Sequence, residues 1–100
     1  MRFMLVVRMS TEQGNVAVRE GRIGDVLRRA MERLQPEAAY FGPMDGLRTA
    51  FLVVDLDDAS RIPAVSEPFF LELGARVDFI PVMTAEEVAR GVAALAQPGH

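Results

Sequence analysis

Leu47-Arg48-Thr49-Ala50-Phe51-Leu52-Val53-Val54-Asp55-Leu56 is the stretch on which the fold turns. It has no glycine or proline, is rich in β-branched and apolar side chains, and reads as a strand closed by Asp57 and Asp58. A strand with one wet face alternates apolar and polar residues. Here Ala50, Leu52, Val54 and Leu56 hold one parity, while Phe51 and Val53 make the other parity apolar too. The strand must be covered on both sides. Residues 3–9, with Phe3, Leu5 and Val7 on one parity and Met4 and Val6 on the other, have the same property.

Working outward, Gly42-Pro43-Met44-Asp45-Gly46 is turn chemistry and predicts a hairpin back to a short strand over 37–41. Further upstream the period changes from two to that of a helix. Thr11 and Asn15 are candidate caps of a short segment ended by Gly21. Ile23, Val26, Leu27, Ala30, Met31 and Leu34 then recur at helical spacing before Pro36, so the whole reads as one amphipathic helix with a broken start. Downstream, residues 60–73 predict a second helix ended by Gly74, with Pro63 tolerable in its first turn and Pro68 forcing a kink or break. Residues 75–83 predict a fourth strand. Thr84-Ala85-Glu86-Glu87 is a capping box that starts a third helix, and 97–100 read as a frayed tail.

The order β, helix, β, β, helix, β, helix predicts one domain over 1–100 with an α+β, ferredoxin-like split βαβ fold, an antiparallel sheet carrying helices on one face. The chain has no further layer for the other face. A second copy of the same sheet would cover it, so a homodimer through facing sheets is expected, a dimeric α/β barrel. Apolar residues make up 50% of the chain, an excess that a small domain hides best against a partner.

Absent residue types narrow the chemistry. All 11 basic residues are arginine, there is no cysteine or tryptophan, and the one histidine is the terminal His100. Schiff-base and P-loop lysines, thiolates, disulfides and imidazole metal sites therefore have no residues to build on, and neither cofactor nor metal is expected. A net charge of -3 predicts no affinity for nucleic acid or anionic membranes. The apolar run between Arg2 and Arg8 is shorter than the ~7–15 residues of a secretory signal core, so a soluble cytoplasmic protein is expected.

Several stretches are familiar together: Pro36-Glu37-Ala38-Ala39-Tyr40-Phe41, Arg48-Thr49-Ala50-Phe51, Arg61-Ile62-Pro63-Ala64, Glu67-Pro68-Phe69-Phe70-Leu71 and Val77-Asp78-Phe79-Ile80-Pro81-Val82-Met83. The chain resembles a family of small uncharacterised bacterial proteins similar to the dimeric α/β-barrel superfamily. That resemblance implies the fold and the dimer. It leaves function open among cofactor-free oxygenases, haem-handling enzymes, muconolactone-type isomerases and members without activity.

Strand parity yields the candidate site. If Phe3, Leu5 and Val7 face the helices, then Met4, Val6 and Arg8 face the dimer interior, with Phe51, Val53 and Asp55 on the third strand and Arg76, Asp78 and Ile80 on the fourth. Arg8, Asp55 and Asp78 would anchor a small apolar or aromatic ligand among Met4, Val6, Phe51, Val53 and Ile80. Tyr40 adds a phenol, although such a residue more often sits half-buried with its hydroxyl at the edge. The bland alternative pairs the charges with one another at the rim. Two functions stay in play: a ligand-binding or cofactor-independent oxygenase- or isomerase-like dimer, and a noncatalytic dimerisation module with a filled interior.

Overall fold

A computed structural model describes residues 1–96; the frayed tail expected over 97–100 lies outside them. The chain runs β1 (Arg2–Arg8), α1 (Thr11–Arg19), α2 (Ile23–Leu34), β2 (Ala38–Met44), β3 (Leu47–Asp55), α3 (Ile62–Leu73), β4 (Arg76–Pro81) and α4 (Ala85–Ala94). The sheet is antiparallel throughout in the order β2-β3-β1-β4. This small α+β arrangement is compatible with a ferredoxin-like fold, with β1 and β3 central as their two-sided apolar character requires.

Parity divides the sheet as the alternation predicts. Leu5, Val7, Ala50, Leu52 and Val54 are buried on one face against Ala17 of α1, Val26 and Ala30 of α2, and Val65, Phe69 and Leu73 of α3. Phe3 and Phe79 join the margin of this core edge to face, ring centroids 5.8 Å apart. Burying this set is what holds the helices on the sheet.

Local chemistry sets the helix ends. The cap of α1 is Ser10 rather than Thr11 or Asn15, because Ser10 is the residue in extended conformation, and its Oγ accepts the Gln13 N–H at 3.2 Å. Gly21, at φ 69°, divides what the periodicity joins, so α1 and α2 are separate helices. Gly74 ends α3 in the same left-handed conformation. Pro68 does not break α3, which stays helical from Ile62 to Leu73 with Glu67 exposed beside it. Arg29 bonds Glu72 of α3 at 3.1 Å, while Arg28 takes both Asp25 and Glu32 of its own helix.

The hairpin differs from expectation. Gly42 and Pro43 belong to β2, which continues to Met44, and the turn is Asp45-Gly46 alone, both at positive φ (55° and 75°). Two residues with positive φ match the right-handed twist of the flanking strands, and β2 gains three residues of pairing by delaying the turn.

α4 starts at the anticipated capping box: Thr84 Oγ accepts from the Glu87 N–H (3.2 Å), and Glu87 Oε1 accepts from the Thr84 N–H (2.9 Å). These bonds, led by the Thr84 backbone N–H and helped by the Arg2 charge, hold the Glu87 carboxyl below its ordinary pKa. A lowered folded-state pKa stabilises the helix start above the ordinary value, and the benefit is lost as pH falls through the lowered one. Amide protection at Thr84 and Glu87 is therefore expected to drop in hydrogen exchange as pH falls below the ordinary glutamate value of about 4.3 and through the lowered one. A Glu87→Gln variant should show little of this pH dependence. The rest of α4 buries no residue, and Val88, Val92 and Leu95 lie exposed at i, i+4 and i+7, along one side of it. No helix among the described residues is long and apolar enough to cross a membrane.

Candidate functional site

The sheet face opposite the helices carries all six candidate residues, ordered by register into rows. Tyr40, Phe51, Val6 and Asp78 form one row across the four strands, and Ala38, Val53, Met4 and Ile80 the next. Gly42, Thr49, Arg8 and Arg76 form the row on the hairpin side, and Asp55 lies opposite Arg2 at the far end. The apolar middle is therefore flanked by charge at both ends. Val6 is buried by its neighbours, Met4 and Phe51 are half-buried, and Ile80 is exposed.

The charges do not converge. Six residue steps along β1 separate the rows of Arg8 and Asp55, a span of about 20 Å. Arg8 reaches Asp45 of the turn at 3.4 Å, and its Nε is buried without a hydrogen-bond partner. Asp55 takes the Met1 amine at 3.0 Å. Asp78 is exposed, diagonal to Arg8 across the strand pair, and Tyr40 stands 71% exposed on the edge strand, more open than a half-buried edge tyrosine.

Pattern reading passed over Arg2. Its Nε lies 2.9 Å from Glu37 Oε2 and its Nη1 3.3 Å from Glu87 Oε1, so it ties the start of β2 and the base of α4 to β1. The Glu37 bond and charge raise its pKa further above the ordinary arginine value. The partners are 35 and 85 positions away, and only the folded register brings them together.

A cavity of about 350 Å³ opens on the other side of the sheet, between α2 and the β2–β3 hairpin. Val7, Ile23, Leu27, Phe41, Ala50 and Leu73 give it an apolar wall. It exists because the helices do not extend over the end of β2: Phe41 has helix-facing parity, opposite Ala50, yet is 54% exposed. Arg48 lines the mouth, its Nη2 donating to Asn15 Oδ1 at 3.0 Å, and its side chain crosses α1 over Gly14. Among the described residues no carboxylate lies within ion-pair distance of Arg48. Phe41 and Pro43 are apolar on the helix-facing parity of an edge strand, which marks an apolar surface there but not whether the space over it is filled.

Among the described residues no group of three or more histidines, aspartates and glutamates is placed to hold a metal ion. Enclosing an apolar body, with one cation at the mouth, is what the cavity can do chemically. A family model described as a domain of unknown function (DUF3303) matches residues 1–96. No curated protein and no solved structure matches the chain.

Proposed function

The chain belongs to the family of the DUF3303 domain, and because that membership assigns no activity we propose, from the geometry, a homodimeric binding module for a small apolar or aromatic molecule. The cavity of about 350 Å³ behind the β2–β3 hairpin carries this reading. Ligand sites are concave, mostly apolar, about 300–1,000 Å³, and marked by few polar groups. An oxygenase or isomerase would need a proton acceptor at the ligand, and arginine, charged at all ordinary pH values, cannot be one. Binding is therefore favoured over catalysis.

The dimer rests on the open face. Met4, Val6, Phe51, Val53 and Ile80 form an apolar band that a second copy would cover by two-fold pairing of the sheets. Four strands of six to nine residues present about 20 by 20 Å, roughly half of the ~800 Å² per partner of a standard interface. The uncovered Val88, Val92 and Leu95 of α4 supply further apolar area.

Naphthalene, followed by backbone amide NMR, tests the binding reading. Shifts are expected at Leu27, Phe41 and Ala50, saturating with concentration. Leu27→Trp, a half-buried position on the cavity wall, should fill the space and weaken binding at least about tenfold. Shifts confined to the open sheet face, or none at saturating naphthalene, would remove the cavity from the function.

A further inference from the structure

We propose that the cavity takes a carboxylic acid with an apolar tail or ring, its carboxylate held by Arg48. The inference rests on the binding reading above and adds the chemical class of the ligand.

Arg48 is a seated but unneutralised cation. One guanidinium hydrogen bond goes to the Asn15 side-chain oxygen, a neutral acceptor that fixes the group without cancelling its charge. Arg2, Arg8, Arg22, Arg28, Arg29 and Arg61 each have a carboxylate within 4.0 Å; among the described residues Arg19, Arg33, Arg76 and Arg90, like Arg48, have none, and of these five only Arg48 lines the cavity. A guanidinium presents five donors in a planar fork, so Arg48, whose side chain lines the cavity on its way to Gly14 and Asn15, keeps donors for the two oxygens of a carboxylate that emerges beside it.

The seat is built by α1. Gly14 is buried in the middle of a helix, where glycine is a poor helix former, and a Cβ there would stand 2.7 Å from Arg48 Nη1 and 3.4 Å from its Cδ. Asn15, also a weak helix former, supplies the bond. Two unfavourable helix choices in succession are explained by the placing of one side chain. From β3, the Arg48 carbonyl accepts the Met9 N–H at 3.1 Å, which fixes the strand position from which the side chain departs. A monoanion also suits the chain's net charge of -3 better than a multiply charged phosphate, which the overall field repels.

Octanoate and 1-octanol, titrated calorimetrically into the wild-type chain, Arg48→Met and Gly14→Ala, test the assignment. Wild type is expected to bind octanoate about tenfold more tightly than 1-octanol, at the lower end for a charge-assisted bond because Arg48 is exposed to solvent. Raised salt should erode that preference. Arg48→Met should bind both equally and keep its affinity for the alcohol. Gly14→Ala should raise the melting temperature, since alanine favours the helix, yet lose the carboxylate preference as the guanidinium is pushed aside; a damaged fold cannot produce that combination. Wild type binding 1-octanol as well as octanoate would overturn the anchor and leave the cavity standing. Binding of neither would overturn the cavity reading and this one with it.

Discussion

Phe69→Ala is expected to cost about 3–5 kcal/mol of folding stability, the range for deleting a fully buried aromatic side chain. Phe69 is 0% exposed, in the middle of α3 and between the helices and the sheet, with the Arg33 guanidinium 5.6 Å from its ring centroid. The removed ring leaves a cavity bounded by three helices and β-sheet, none of which can collapse into it freely. For a chain of this length the loss corresponds to at least about 12 °C in Tm, and domains of this kind have only about 5–15 kcal/mol in total. Leu71, two positions along the same helix and 81% exposed, is the matched control: Leu71→Ala should stay within about 0.5 kcal/mol of wild type. Urea unfolding of both variants decides it. A loss below about 1 kcal/mol for Phe69→Ala would mean that the helices do not depend on this contact.

Phe51→Asp is expected to abolish self-association while leaving the fold of the single chain intact. Phe51 lies in the central row of the open face, between Tyr40 and Val6, and points away from the helix-packed core. In the proposed dimer, two-fold pairing of sheets would bring this row against its own copy, so one substitution would bury two carboxylates without partners. Even after relaxation such burial costs several kcal/mol, which is at least about a hundredfold in the dimer constant. Asp78 in the same row adds like charge. Sedimentation equilibrium at micromolar concentration should show wild-type dimer and variant monomer, with dimer partly restored as the new carboxyl is protonated in acid. A wild-type monomer would end the facing-sheet reading, and a dimeric variant would move the interface to another surface.

What could be read from the chain was whatever local chemistry determines. The helix stops at Gly21 and Gly74, the Thr84–Glu87 box and the face each residue of β1 and β3 takes all follow from near neighbours and a period of two. The hairpin misleads because Gly42 and Pro43 are turn residues by chemistry, while pairing with Thr49 and Arg48 holds them in a strand. Parity places Arg8 and Asp55 on one face but says nothing of their distance along it, which depends on register with β3. The cavity was illegible for another reason. Apolar periodicity reports which residues turn inward, and it is the same whether the space they enclose is filled or empty. The contact of Arg48 with Gly14 and Asn15 spans 33 positions and has no periodic signature.

The two border strands each carry a proline, and register shows where its nitrogen points. Met44 and Leu47 flank the two-residue turn and exchange their backbone bonds, so the nitrogen of Pro43 faces away from β3. On β4, the Val82 N–H donates to the Arg2 carbonyl, which turns the nitrogen of neighbouring Pro81 outward as well. Each proline deletes a donor where a foreign strand would attach, and β4 adds the exposed charges of Arg76 and Asp78. Sideways growth, the open-ended route toward fibres, meets a broken ladder on either border. In the proposed dimer, contact through the broad face would close on itself after one partner, so a chain that pairs there would still be guarded against a polymer.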